Sequence, residues 1–334
     1  MTSREIVQRT LDYADPERVA RSFGDSDFIW CGYSVKTNAT EWREVGNGRW
    51  ERTDEWGNLW GRVDSNSKGE VIKGVLENIS DLDNYTFPDY SKPESYMQVA
   101  ETRNKYPDKW LIGGMPGFAF NIARKLRKFE QYLIDLLLEP GRMHELHDRI
   151  DSMLEDMIRN YAAAGADSVM FPEDWGTQTQ LLIPPELWRK EFFPRFRKLC
   201  GIAHELGIKV FMHSCGQIED IVPALMEAGI DCLQFDQPEL HGIDILASHQ
   251  EKCRITFWCP VDIQKTLQTR DEQKIRRAAR YMLEKLWRGR GGFFAGYYGD
   301  NASIGLEAEW QEYACDEFLK CGVSPARRHT GTRS

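Results

Sequence analysis

His213 and Cys215 stand two positions apart at the end of a short apolar run, Lys209-Val-Phe-Met-His-Ser-Cys-Gly216. Alternate residues of a strand point the same way, so an imidazole and a thiol are expected to face one point. Together they make half of a zinc or other soft-metal site. The plainer reading is a histidine that only hydrogen-bonds its surroundings. Cys259 is a candidate third metal ligand, although burial of a free thiol is the commoner use of cysteine. Gly216 then opens an amphipathic helix, and the junction of a strand with the next helix is where α/β barrels keep their chemistry.

Other apolar runs also end in polar or aromatic groups. Glu173, Asp174, Trp175 and Gln178 follow Val169-Met-Phe171, and Asp236 and Gln237 follow Leu233-Gln-Phe235. Cys259, Asp262 and Gln264 follow Ile255-Thr-Phe-Trp258, and Tyr297 and Tyr298 follow Phe293-Phe-Ala295. Tyr33 belongs to an earlier strand end. Around a barrel such positions converge on one mouth. Asp174, His213 and Asp236 are the candidate catalytic groups, able to hold or deliver a proton; either aspartate would serve equally to cap the helix after it. Trp30, Trp175, Trp258, Tyr297 and Tyr298 offer ring faces to a flat substrate, although Tyr297 and Tyr298 could simply close the rim. Tyr33, Glu173, Gln178, Gln237, Asp262 and Gln264 complete the candidate substrate contacts.

The elements that would position these groups repeat. Ala164-Gly-Ala-Asp-Ser-Val-Met-Phe171, Leu206-Gly-Ile-Lys-Val-Phe-Met212 and Ala228-Gly-Ile-Asp-Cys-Leu-Gln-Phe235 each read as a helix stopped by glycine and then a buried strand. Strands are expected near 168–171, 208–213, 232–235, 254–258 and 292–296. Between them, three-four spacing marks helices: Met143 to Tyr161, Ile218 to Met226 and Ile275 to Leu286. Repeated βα units predict an α/β fold, a (β/α)8 TIM-type barrel. A doubly wound sheet is the alternative, but no glycine-rich nucleotide loop accompanies it. A single domain is expected, with an N-terminal elaboration over 1–105, a barrel core over 106–325 and a loose tail over 326–334. Within the elaboration, Arg49 to Trp60 reads as a β-hairpin turning at Trp56-Gly-Asn58.

Composition narrows the partners. The chain has 334 residues and a formal net charge of -9. That balance disfavours nucleic acid, whose phosphates call for a basic surface. No apolar run reaches the ~20 residues of a membrane span, and the N-terminus lacks a signal-peptide core. The eight cysteines are scattered and read as reduced thiols. A cytoplasmic enzyme is expected; a homodimer is compatible with the sequence, which does not set the oligomeric state.

Glu173-Asp-Trp-Gly-Thr-Gln178, Pro184-Pro-Glu186, His213-Ser-Cys-Gly216 and Val261-Asp-Ile-Gln264 together resemble the uroporphyrinogen decarboxylase superfamily. The agreement in order and spacing runs from about residue 110 to 320. Thr53-Asp-Glu-Trp-Gly57 and Lys68-Gly-Glu-Val71 are similar to its methyltransferase-like branch. The resemblance implies a distorted (β/α)8 barrel with its site at the strand C-termini. The Arg-Gln-Ala-Gly-Arg motif of true decarboxylases is missing, which speaks against uroporphyrinogen. The other branch moves methyl groups to or from a corrinoid, and its thiol-using members hold zinc through His-x-Cys and a later cysteine. Here His213 and Cys215 match, but Gly291-Gly-Phe-Phe-Ala-Gly-Tyr-Tyr298 carries no thiol. Zinc would need Glu173, Asp174 or Cys259 instead. The resemblance thus implies a methyltransferase acting on a small methyl donor, a methoxylated aromatic by preference, with the corrinoid on a separate partner protein docked over the mouth. A metal-free decarboxylase of another carboxylated molecule is the alternative.

Overall fold

The computed structural model describes residues 1–65 and 67–324. In chain order its strands are β1 (Ala20–Arg21), β2 (Phe28–Cys31), β3 (Arg43–Gly46), β4 (Arg49–Thr53), β5 (Leu59–Arg62), β6 (Glu70–Lys73), β7 (Trp110–Gly114), β8 (Ser168–Pro172), β9 (Lys209–His213), β10 (Cys232–Gln234), β11 (Thr256–Cys259) and β12 (Phe293–Ala295). Eight form one parallel sheet in the order β1-β12-β11-β10-β9-β8-β7-β2. Helices lie between successive strands from β7 onward, so the architecture is the expected TIM-type barrel. The sheet is nearly closed. At the seam between β1 and β2, Asp27 N donates to Arg21 O at 2.9 Å and Arg21 N donates to the Asp27 carboxylate at 2.9 Å. Two barrel strands, β1 and β2, come from before residue 106, so the sheet draws on both sides of that expected boundary. The tail expected at 326–334 lies outside the described residues.

The sequence pattern explains the layering. One face of each strand points inward, where Phe28, Ile112, Met170, Phe211, Cys232, Trp258 and Phe294 fill the barrel. The helix Ser3–Leu11 adds Ile6, Val7 and Leu11 to this interior, and its Arg4 N bonds Asp108 O at 2.7 Å, just before β7 begins. That end is therefore sealed, and the opposite end, at the strand C-termini, is the mouth. The outward strand faces carry Leu111, Val169, Val210, Met212, Leu233 and Phe257 into the layer beneath the helices. Near-continuous apolar strands are the consequence of burial on both sides. The glycines of the three repeats, Gly165, Gly207 and Gly229, all have positive φ, as helix-ending residues should.

The expected hairpin is present and larger than expected. β4 and β5 pair antiparallel across the Trp56–Asn58 turn, inside a four-stranded sheet of order β3-β4-β5-β6. Asp54 builds that turn. Its carboxylate accepts Trp56 N, Asn58 N, Asn58 Nδ2 and Trp60 Nε1, all within 3.0 Å. Arg52 and Arg62 lie between the half-buried indoles of Trp42, Trp50 and Trp60, 4.4–5.1 Å from the ring centres. The small sheet leans on the barrel beside its mouth, where Lys68 Nζ reaches Tyr298 Oη at 3.4 Å.

Candidate active site

Two loops meet at the mouth through their backbones. One follows β8 and carries Asp174 and Gly176; the other follows β9 and carries Cys215 and Gly216. A Cβ on Gly216 would lie 2.1 Å from the Gly176 carbonyl oxygen, and one on Gly176 would lie 2.5 Å from the Gln217 oxygen. Gly216 also takes φ +81°, where L side chains are strained. Gln217 N closes the contact by donating to Thr177 O at 2.7 Å. The expected helix after Gly216 starts later: a 3₁₀ turn, Glu219–Ile221, precedes the helix Val222–Ala228. Strand alternation is also not what aligns Cys215. β9 ends at His213, and the turn through Gly216 brings the thiol back beside the imidazole. Behind this turn the buried His241 borders the same small crevice as Gly216, and Glu219 accepts from His249 Nε2 at 2.6 Å.

This packing brings three ligand-type side chains together. One donor atom each from Asp174, His213 and Cys215 lies within 4.8 Å of the others. His213 Nε2 is 3.2 Å from Cys215 Sγ and 3.6 Å from Asp174 Oδ1. Cys215 N donates to the same carboxylate oxygen at 2.9 Å, and Arg124 approaches the other oxygen at 3.4 Å. On its far side, His213 Nδ1 bonds Gln234 Oε1, and Gln234 Nε2 donates to Asp236 Oδ1 at 2.8 Å. If Gln234 accepts there, Nδ1 carries the proton and Nε2 keeps its lone pair toward Asp174 and Cys215.

The fields at the site are uneven. Burial works against the Asp174 carboxylate, but His213, the Cys215 N–H and Arg124 outweigh it and hold its pKa below the ordinary value. Burial first, then the charges of Asp174 and Asp236, push the Cys215 thiol up to about 12. The metal-free site at neutral pH thus holds an ionised carboxylate and a protonated thiol. His213 Nε2 at 3.2 and 3.6 Å from the other two donor atoms, with all three within 4.8 Å of one another, suits a tetrahedral zinc, where bonds of ~2.0–2.3 Å place ligands ~3.6 Å apart.

The other expected residues divide sharply. Trp30 is 56% exposed at the mouth, its ring 6.4 Å from Trp258 and roughly parallel to it. Trp258 lies inside the barrel, its indole 4.6 Å from Phe28, and its Nε1 donates to Ser22 at 3.3 Å. Tyr297 Oη accepts from Asn301 at 3.0 Å, and Tyr298 meets Lys68. Gln237 borders a small crevice with Cys215 and Asp236. Tyr33 donates to Glu55 at 3.0 Å, at the foot of the antiparallel sheet.

Trp175, by contrast, is fully buried among Phe120, Phe192 and Trp188; its backbone turns inward where a ring clamp would need it to face the mouth. Glu173 is also fully buried. It accepts Phe118 N and Asn121 N at the start of the helix Ala119–Leu126, and burial pushes its pKa up to about 8 against those bonds. Asp262 is occupied by the backbone N–H groups of Glu239, Gln264 and Lys265. Gln178 and Gln264 point to solvent-exposed loop surface. Cys259 is fully buried and outside the Asp174–His213–Cys215 group. Replacing Cys259 by alanine is therefore expected to leave metal content unchanged, by elemental analysis, while lowering stability by ~1–2 kcal/mol from the lost packing.

Gln234, Arg124 and Lys68 are site residues that the strand-end reading passed over. Gln234 had a signal: it lies two before Asp236, on the inward face of β10 with Cys232. Arg124 and Lys68 come from a helix and a hairpin loop, where no local pattern points to the mouth.

The profile of the family described as uroporphyrinogen decarboxylase (URO-D) matches residues 63–297, a span that contains every ligand-type group just described. The chain belongs to the uroporphyrinogen decarboxylase family. Within that family it is similar to a methylated-thiol–coenzyme M methyltransferase of Methanosarcina mazei, 25% identical over 138 residues, 41% of this chain and 36% of that relative. The match thus spans about a third of that relative's length. Among solved structures, a methyltransferase from Methanosarcina mazei superimposes with a TM-score of 0.58 at 17% identity, covering 79% of this chain and 76% of that one. The first relative fits the methyltransferase-like branch, and the second supports the barrel fold. Among the described residues, no helix is long and apolar enough to cross a membrane.

Proposed function

We propose that this URO-D family chain is a methyltransferase that takes a methyl group from a small methoxylated aromatic donor for a corrinoid held by a partner protein. The observation that carries this reading is the convergence of Asp174, His213 and Cys215 at the open end of the barrel. Similarity to a methyltransferase of the same family supports methyl transfer as the reaction class.

The donor set favours an ether over a thiol. Thiolate ligands donate charge to zinc, and replacing one by a carboxylate leaves a harder, more electrophilic ion. Zinc at Asp174, His213 and Cys215 would supply a Lewis acid for the phenolate-like leaving oxygen, and the partner's corrinoid would supply the methyl acceptor. The chain's own residues do the rest. Gln234 orients His213, and Asp236 orients Gln234. Trp30 and Trp258 present ring surface beside the mouth. Asp236, partly exposed, is placed to hold a proton near the leaving oxygen.

Metal affinity should depend on pH through Cys215. Its thiol titrates near 12, so zinc binding at neutral pH must displace a proton. The Asp174 carboxylate is already ionised. Near pH 7 the metal is expected to release about one proton per ion, and affinity to rise about tenfold per pH unit. Proton release measured with an indicator during zinc titration checks this; no release would mean that the thiol is not a ligand. For the reaction itself, protein is incubated with a panel of methoxylated aromatics, cobalamin and a reductant. Growth of the methylcobalamin spectrum is expected, and its absence across the panel with the corrinoid partner present would sink the proposal. Carbon dioxide release without corrinoid would point to the decarboxylase alternative.

A further inference from the structure

Beside the mouth, between the antiparallel sheet and the helix Ala119–Leu126, lies a cleft of about 410 Å³ bordered by Thr40, Arg52, Glu55, Trp60, Pro116 and Lys125. The volume is in the range of a small-ligand site. Pro116 lies two residues beyond β7, so the cleft opens at the C-terminal end of the barrel. Its walls are tied together. Leu76 N donates to Leu126 O at 2.9 Å, Arg127 bonds the Leu76 carbonyl, and a Cβ on Gly74 would lie 2.3 Å from the Leu126 oxygen. The cleft is therefore built into the fold.

Its charges are unbalanced in a specific way. The Asp54 carboxylate is occupied by four donors of its own turn. Glu55 accepts the Tyr33 hydroxyl, and burial first of all pushes its pKa up, toward the neutral acid. Glu41, the third carboxylate of the lining, is exposed to solvent, and neither cation is paired with any of the three. Among the described residues, neither Lys125 nor Arg52 has an ion pair, although the chain carries nine more acidic than basic side chains. Arg52 Nε is buried without a hydrogen bond. Both cations instead lie against the ring of Trp60, at 5.9 Å for Lys125 and 5.1 Å for Arg52. Burial, and then Arg124, pull the Lys125 pKa down. A half-buried pair of unpaired cations is unfavourable in the free protein and is explained by a ligand that brings the missing charge.

We propose that this cleft is a carboxylate subsite, in which a small aromatic acid places its anionic end between Lys125 and Arg52 and its ring along Trp60. Calling that acid the methyl donor rests on the function proposed above; the anion subsite rests on the cleft alone. Arg124, the residue before Lys125, approaches the Asp174 carboxylate at 3.4 Å, so the cleft adjoins the candidate metal ligands. A donor anchored there would extend its other end toward them.

The test is equilibrium binding, read by tryptophan fluorescence, with benzoate, 4-methoxybenzoate and the neutral benzamide. The two acids are expected to bind about tenfold or more tighter than benzamide, as a charge-assisted contact allows. Lys125→Met and Arg52→Met should each erase that preference, and Lys125→Arg should keep it. Lys125→Met should also melt at or above the wild-type temperature, because it removes an uncompensated cation. Equal binding of acid and amide, no saturable benzoate binding at millimolar concentration, or a preference that survives in Lys125→Met would each overturn the subsite. The two proposals fail separately. Charge-selective benzoate binding without methyl transfer removes the function and keeps the subsite; methyl transfer from neutral donors, with no effect of Lys125→Met, does the reverse.

Discussion

His213→Ala is expected to lose bound zinc and to slow methyl transfer by about three decades or more. The imidazole nitrogen lies close to both other candidate ligand atoms, 3.2 Å from Cys215 Sγ and 3.6 Å from Asp174 Oδ1. Its removal leaves a carboxylate and a thiol with a pKa near 12, a pair that competes poorly for the ion at neutral pH. Lewis-acid activation of an oxygen leaving group is worth several kcal/mol, and ~1.4 kcal/mol is a factor of ten in rate. Elemental analysis gives the first readout and single-turnover kinetics the second. Fold stability should change little, because His213 is only partly buried. Gln234→Leu tests the orienting role independently: metal affinity should fall by ~10–100-fold, as for other groups that fix a ligand's tautomer. A His213→Ala protein that keeps both zinc and rate would rule out the metal site.

The second large effect is expected at a residue with no chemistry at all. Gly216→Ala should cost ~2–4 kcal/mol of stability and at least tenfold in zinc affinity. Two independent penalties act. At φ +81° a left-handed alanine is strained by ~1 kcal/mol. Its Cβ would also lie 2.1 Å from the Gly176 carbonyl oxygen, an overlap that forces the two loops apart at ~1–3 kcal/mol. Parting the loops moves Asp174 away from His213 and Cys215, since each of the three sits within three residues of the contact. Gly176→Ala meets the Gln217 backbone from the other side and should act alike. Denaturant midpoints and zinc competition measure the two effects. If both variants bind zinc as the parent does, the loop contact does not position the site.

Much of the architecture was readable along the chain. The buried strands appear as apolar runs of three to five residues, and the glycines before them show where the helices stop. The hairpin was visible because tryptophans flank a Trp56-Gly-Asn58 turn. β2 was anticipated only as a strand end before Tyr33, without bounds, and β1 was not assigned, because a strand as short as Ala20–Arg21 gives period-two alternation nothing to act on. The same limit applied to strand-end side chains. Glu173, Asp174 and Trp175 are consecutive, yet only Asp174 reaches the mouth. Glu173 is drawn to the N-terminus of the helix Ala119–Leu126, and Trp175 into the rings of Phe120 and Phe192.

The sequence by itself determined the barrel, the family resemblance and the pairing of His213 with Cys215. The barrel rests on the periodicity of burial, the resemblance on short motifs in a fixed order, and the pair on its spacing at a strand end. Only the tertiary structure decided which further group joins them. Asp174 and Cys259 both stand among the candidate third ligands along the chain, with Cys259 the expected one; the first lies beyond β8 and the second at the end of β11. A loop contact between Gly176 and Gly216 brings the first within 3.6 Å of His213, while the second is sealed in the core. The physical reason is that ligand geometry depends on how closely two backbones approach. That approach is set by the absence of a side chain, which no pattern of reactive residues records.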